Sequence, residues 1–297
     1  MYASICSSKV TRMSAQNNNK RAKQALAANQ IGVIVCGYPG QAAVDVAKAC
    51  AKRGYKVRPF GLALADVKDL KIIVPDVGTV QLVKFGDASA KAKLQEAIQA
   101  AEKEGLSVVV ADTTEVAGNA SVYNEVKVPF VLQSKGGEVH DQLVKQTEDA
   151  NTFALISQQM NKRLAAFDQM WQEWGKRYPG LFDDHDFSFK SSHPGDTPKS
   201  LLDSFSDLTN QSFGLDKVQM FGKDDKFTEG HATREYTFKN GSGSSSFVFR
   251  QSVKTDAADY AESVADSVGF LAQKAQEIAR PQVYNILDVA AAPRLLM

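Results

Sequence analysis

Gly37-Tyr38-Pro39-Gly40 is the stretch whose residue types and spacing point most directly to chemistry. An apolar run, Ile31–Cys36, precedes it, and an Ala/Val-rich segment with helical spacing, Ala42–Arg53, follows. Strand, glycine turn and helix N-terminus in this order form the first unit of a dinucleotide-binding fold. Glycine lets the backbone bend sharply and approach a pyrophosphate, while the helix end offers free N–H groups and its positive dipole. Ala43 stands at the third fingerprint position and is small enough for helix–strand packing. The fingerprint is shortened and has no Gly-x-Gly. An ordinary βα turn that binds nothing would use the same residues.

Other candidates fall where ligands collect in open parallel sheets, at the carboxyl ends of strands. Arg58 lies near the end of a strand read as Lys56–Phe60. A base there favours the 2′-phosphate of NADPH over NADH, and a merely solvated arginine has the same appearance. Asp112-Thr113-Thr114 closes an apolar run from Ser107, and Gln133-Ser134-Lys135 follows the strand Val128–Leu132. Residues of these types also cap helices, and capping is compatible with ligand contact. The cofactor-binding set is therefore Gly37, Tyr38, Pro39, Gly40, Gln41, Arg58, Asp112, Thr113, Thr114, Gln133, Ser134 and Lys135.

These residues need a scaffold, and the chain has room for one: 297 residues suffice for two domains. A hydrophobic fraction of 43% against 23% charged is the balance of a soluble globular protein. A net charge of +1 speaks against a general nucleic-acid binder. No apolar run approaches the roughly 20 residues of a membrane span. Cys6, Cys36 and Cys50 have no metal-ligand spacing, so neither a metal nor a disulfide framework is expected.

Residues 1–30 differ in kind. They are basic and serine-containing, and the first acidic residue is Asp45. That is the composition of an organellar transit segment or of a disordered cytosolic tail. From Ile31 strands alternate with helices: strands at Lys71–Val74 and Val80–Lys84, a helix Ala88–Glu104, and a helix Val116–Val126. After the strand Thr152–Ile156, a long helix runs from Ser157 to about Tyr178 with an apolar stripe of Leu164, Phe167, Trp171 and Trp174. Beyond it the pattern becomes strands: Asp186–Ser191, near Val218–Phe221, Thr233–Phe238 and Ser244–Val253. Asn240-Gly241 marks the last two as an antiparallel hairpin. A helix Ala257–Ile278 and a strand Val283–Leu287 end the pattern.

Taken in order, several short motifs resemble the dihydrodipicolinate reductase family of lysine biosynthesis, DapB-type, in its plant and algal form. They are Gly37-Tyr38-Pro39-Gly40, Val128-Pro129-Phe130-Val131 with Gly136-Gly137, and Ile156-Ser157-Gln158-Gln159-Met160-Asn161-Lys162. Tyr178-Pro179-Gly180, Ser192-His193, Gly230-His231, Tyr260-Ala261-Glu262 and Tyr284-Asn285-Ile286-Leu287-Asp288-Val289 continue the series. The resemblance implies an α/β fold: a Rossmann-like parallel-sheet nucleotide domain (31–156) plus a smaller α+β domain with a mixed sheet (157–255). The segment 256–297 would return to the nucleotide domain. It also implies a nicotinamide cofactor, NADPH with NADH as the alternative, a cyclic dicarboxylate substrate, an oligomer and a plastid location, a cytoplasmic one being the alternative. His193 matches the family's proton donor, a role suited to a side chain with an ordinary pKa near ~6.5.

The substrate loop departs from the family. It reads Ser192-His193-Pro194-Gly195-Asp196-Thr197-Pro198-Lys199-Ser200 and is shorter than the family pattern. Thr197 stands where the family has a substrate-binding lysine, and no Ser-Gly-Thr turn follows. Gln41 replaces a basic residue, and the arginine before Tyr260 is absent. Lys199, with a helix N-terminus after Pro198, is a weaker substitute for the carboxylate partner. His140 and His185 have no assigned role. Two functions fit: an NADPH-dependent reductase of a cyclic dicarboxylate or related substrate, or a non-catalytic relative serving as a structural or assembly subunit.

Overall fold

The computed structural model describes residues 25–63, 67–178, 185–191, 218–220, 232–240, 246–253 and 256–292. Its centre is β1 (Ile31–Tyr38), in which every residue is buried. Val33 and Val35 point into one apolar cluster, Ile34 and Cys36 into the other, so the two-residue alternation feeds both faces. A strand covered on both sides reads as a continuous apolar run, which is why it was legible.

On one side β1 pairs in parallel with β2 (Lys56–Ala63), which pairs with β4 (Gly78–Lys84); β3 (Lys71–Val74) closes that edge antiparallel to β4. On the other side come β5 (Ser107–Asp112), β6 (Phe130–Gln133), β7 (Ala154–Ser157) and β12 (Val283–Tyr284), all parallel. The eight-stranded order is β12-β7-β6-β5-β1-β2-β4-β3.

Helix α1 (Gln41–Lys52) packs on one face beside α6 (Asp256–Glu277). Its buried Ala43, Val46, Ala47 and Cys50 recur at helical spacing, and its chain leaves through Gly54 at φ +80°. Arg53 donates to Asp266 Oδ1 from Nε at 3.0 Å and from Nη2 at 2.8 Å, and Lys162 pairs with the same carboxylate. One carboxylate on α6 thus ties the end of α1 to the start of α5 (Lys162–Arg177). The opposite face is covered by α2 (Ala90–Lys103), α3 (Asn119–Val126) and α4 (Glu138–Asp149) through Leu94, Ile98, Tyr123 and Leu143.

A second sheet has the order β11 (Ser246–Val253), β10 (Ala232–Asn240), β8 (His185–Ser191), β9 (Val218–Met220). β10 pairs antiparallel with both β11 and β8, while β8 and β9 are parallel, so this sheet is mixed.

Several elements differ from the sequence expectation. β2 continues to Ala63 rather than ending at Phe60. α4 was not anticipated, because Leu143 and Thr147 are its only fully buried residues and its apolar stripe is thin. α5 starts at Lys162, not Ser157, because the Asn161 side chain accepts from the N–H groups of Arg163 and Leu164 and fixes the helix start. The last strand stops at Tyr284, where Asn285 and Asp288 form a capping box that opens α7 (Ile286–Ala291). The end of the stretch read as a tail is packed: Leu26 N–H donates to Gln273 Oε1 at 2.7 Å. Trp174, expected on an apolar stripe, is 41% exposed. No helix among the described residues is long and apolar enough to cross a membrane.

Candidate dinucleotide site

The strand order reverses at β1, whose following connection leads to β2 while β5 lies on its other side. That opens a crevice at the carboxyl ends of β1 and β5, the place where open α/β sheets receive ligands. Gly37 sits at the lip with φ +111°. A Cβ there would lie 2.3 Å from Thr113 Oγ1. Thr113 is held against the turn because its N–H and its hydroxyl both donate to Cys36 O, at 3.1 and 2.9 Å. Gly40 N–H donates to Gly37 O at 2.9 Å, and a Cβ on Gly40 would come within 2.9 Å of that oxygen. Both glycines are therefore required by the turn itself.

Helix α1 begins immediately after it. Gly40 is the N-cap and brings no capping side chain, and the first turn holds no acidic residue. The first N–H groups of a helix have no partner within it, so those of Gln41, Ala42 and Ala43 open toward the crevice. This donor set fits the diphosphate of a dinucleotide. Gln41 supplies only backbone, its side chain donating to Asp45 Oδ1 at 2.8 Å.

Tyr38 belongs to the core, not the crevice. It is fully buried, and a Cβ on Gly61 would lie 2.6 Å from its ring. Its hydroxyl is buried without a hydrogen-bond partner, and burial pushes its pKa up. Pro39 is exposed at the turn.

At the end of β5, Asp112 is turned inward. Its carboxylate accepts from Thr114 N–H (2.8 Å), Thr114 Oγ1 (2.7 Å), Asn119 Nδ2 (3.0 Å) and the Tyr123 hydroxyl (2.8 Å). Burial, with the Asp112 charge second, raises the Tyr123 pKa far above its ordinary value and does the same to the Cys36 thiol. Asp112 shapes the β5–α3 loop, in which Thr113 and Thr114 are partly exposed.

The end of β6 shows a similar division. Ser134 is 1% exposed; its N–H donates to Ser157 O at 3.0 Å and its hydroxyl meets His140 Nδ1 at 2.6 Å. Gln133 is partly exposed and Lys135 exposed. A Cβ on Gly136 would lie 2.9 Å from Gln158 Oε1, so the end of β7 leans on this turn. His140 and Gln158 were not foreseen as parts of the site. The sequence signal for Gln158 was its place in the Ile156–Lys162 motif; His140, inside α4, carried none.

Arg58 is a correction. The extension of β2 to Ala63 moves its carboxyl end away from this residue. Val57 is in register with Val33 and Ala63 with Tyr38, so Arg58 lies five residues before the crevice end of the strand. Its guanidinium makes two 2.6 Å bonds to Glu104 at the end of α2. Arg58→Ala is expected to leave the Kd for NADPH and for NADH within about twofold of the parent, as distant independent sites do not couple. Calorimetric titration checks this, and a selective loss of NADPH affinity would restore Arg58 to the site.

His193 and Lys199 lie outside the described residues, as does His231. Among the described residues no group of three or more His, Cys, Asp or Glu side chains could hold a metal ion.

A mostly parallel sheet with a glycine turn, an uncapped helix and a crevice at the strand reversal defines a Rossmann-type dinucleotide fold with an appended mixed sheet. The chain resembles the plant 4-hydroxy-tetrahydrodipicolinate (dihydrodipicolinate) reductases over most of its length. It is 27% identical over 293 residues to the chloroplastic 4-hydroxy-tetrahydrodipicolinate reductase 1 of Arabidopsis thaliana, covering 93% of this chain and 82% of that one. Among solved structures, the dipicolinate-bound dihydrodipicolinate reductase of Paenisporosarcina sp. TG-14 aligns with a TM-score of 0.51 and 13% identity over 86% of this chain and 98% of that one. An engineered D-amino acid dehydrogenase bound to NADP+ aligns with a TM-score of 0.50 and 10% identity over 90% and 97%. At such identities the structural matches speak for the fold alone. No family model matches the chain.

Proposed function

We propose that this protein is a diverged dihydrodipicolinate-reductase-like enzyme that binds a nicotinamide dinucleotide and reduces a cyclic dicarboxylate or a related substrate. The observation that carries the reading is the β1–α1 turn: two glycines, no capping side chain and no acid in the first helical turn. The plant relatives are named 4-hydroxy-tetrahydrodipicolinate reductases, which supports the reading. The cofactor, when bound, supplies hydride. The N–H groups of Gln41, Ala42 and Ala43 would hold its diphosphate, and Thr113, Thr114, Gln133 and Lys135 would border its other half. NADPH is the proposed form, with NADH the alternative, and Arg58 does not take part in that choice.

His193 is the proposed proton donor to the reduced substrate. Lys199 would offer charge to a carboxylate in place of the lysine that Thr197 has replaced. His193→Ala is expected to lower kcat by roughly 10²-fold or more, the scale of losing a general acid, with dinucleotide affinity unchanged. Equal turnover in the variant would remove His193 from the reaction.

The substrate loop favours a second reading on one specific ground: it lacks the family's lysine and Ser-Gly-Thr turn. On that reading the protein keeps the fold and the dinucleotide but serves as a subunit of an assembly. Dinucleotide binding without turnover on the family's substrate would select it. The chloroplastic relatives favour a plastid location and the family an oligomer.

A further inference from the structure

We propose that His140, acting through Ser134, is a positioning residue that holds the β6–α4 turn in its ligand-receiving shape and makes dinucleotide affinity depend on pH. The inference rests on the crevice being a dinucleotide site, as proposed above. With the diphosphate at α1 and the adenosine on the β2 side, the nicotinamide end falls over β5, β6 and β7. The β6–α4 turn forms the floor there.

The turn is closed by few bonds. Ser134 N–H donates to Ser157 O at 3.0 Å, joining the ends of β6 and β7. Gly137, at φ +74°, caps α4, and His140 N–H donates to its carbonyl at 2.9 Å. The remaining link is the 2.6 Å contact between Ser134 Oγ and His140 Nδ1. Ser134 is sealed from solvent, so its hydroxyl depends on this partner. In the neutral tautomer that carries its hydrogen on Nε2, the Nδ1 lone pair accepts the hydroxyl proton. Protonation turns Nδ1 into a donor, so the hydroxyl hydrogen of buried Ser134 must turn away and lose its acceptor.

The surroundings bias His140 toward the neutral form. Burial lowers its pKa from the ordinary value, and Asp141 opposes that in part. The positive end of the α4 dipole acts in the same direction as burial. The other charged groups at this end of α4 are Glu138 on the helix and Lys135 in the turn, both exposed. β6 and the end of β7 contribute only the uncharged Gln133, Ser157 and Gln158, and β12 contributes Tyr284. On α3 the charged residue is Glu125, paired with Lys91. Because the folded pKa lies below the unfolded one, the unfolded chain binds more protons in the window between them. Stability is therefore complete above about pH 6.5 and falls as pH drops toward the folded pKa.

The experiment combines ¹⁵N spectra of His140 with NADPH and NADH titrations of the parent, His140→Ala and His140→Asn between pH 5 and 8. Asparagine places an acceptor oxygen where Nδ1 stood but does not titrate. Expected results are an unprotonated Nδ1 at neutral pH, with affinity weakening as His140 titrates. His140→Ala should bind about 3- to 10-fold more weakly at pH 7.5, the scale of one hydrogen bond. His140→Asn should recover most of that loss with a flat pH profile. A protonated Nδ1 at neutral pH would overturn the proposal, and so would His140→Ala binding with the parent's Kd and pH dependence. A parent that shows the Ser134–His140 signature but binds neither dinucleotide would overturn the reading of the crevice instead.

Discussion

Gly37→Val is expected to remove most of the protein's stability and all dinucleotide binding. Two penalties add at this position. A φ of +111° is a region that side chains with a Cβ rarely occupy, and residues held in such sparse regions cost about 1–3 kcal/mol. The new Cβ would also fall 2.3 Å from Thr113 Oγ1, and overpacking of this kind costs about 1–3 kcal/mol more. Their sum is roughly 2–6 kcal/mol against a typical total of ~5–15 kcal/mol. Thr113 has little room to retreat, because its N–H and hydroxyl both hold Cys36 O. Denaturant melts of Gly37→Ala, Thr113→Ala and the double variant separate the two penalties. The double variant should recover the steric part and keep the conformational part, a clear departure from additivity. Full additivity would mean that the close approach of Thr113 does not govern the site.

Asp112→Ala is expected to be the most damaging substitution outside the glycine turn. Its carboxylate receives four donated hydrogen bonds while 1% exposed. The alanine variant strands the buried Tyr123 hydroxyl, at about 1–3 kcal/mol, and leaves the Asn119 amide only its bond to Thr114 Oγ1, at about 0.5–1.5 kcal/mol for the bond lost, so a loss of roughly 1.5–4.5 kcal/mol should appear in the unfolding midpoint. Asp112→Asn should be milder, because one oxygen remains and the phenol can accept from the new amide. Combining Asp112→Ala with Tyr123→Phe removes one stranded group, so the pair should be less harmful than the sum of the singles. The β5–α3 loop should loosen with it, weakening dinucleotide binding together with stability.

How much was legible before the structure differs from residue to residue. β1 and α1 were readable because two signals coincide there: an apolar run buried on both faces, and glycines at the one place where the backbone must turn sharply. The hairpin of β10 and β11 was announced by Asn240-Gly241 in the same way. Arg58 was misplaced because strand ends are weakly marked. Gly61-Leu62-Ala63 extends β2 without any change in residue character, and those residues decide which end faces the ligand. α4 escaped notice because so little of it is buried. The inward turn of Asp112 depends on Asn119 and Tyr123, a helix away, and nothing local in Asp112-Thr113-Thr114 distinguishes an internal acceptor from a ligand contact. His140 was passed over because its partner lies across a glycine turn, and such a pairing has no periodic signature.

The central claim is that the crevice at the end of β1 takes a nicotinamide dinucleotide. Its most direct test is titration of the purified protein with NADPH and NADH, followed by calorimetry and by the fluorescence of the reduced nicotinamide. Saturable binding at one site per chain, tighter for NADPH and insensitive to Arg58→Ala, is the expected result. Absence of binding for both dinucleotides at millimolar concentration, in a protein that is folded by its thermal transition, would contradict the claim and leave the turn as framework only.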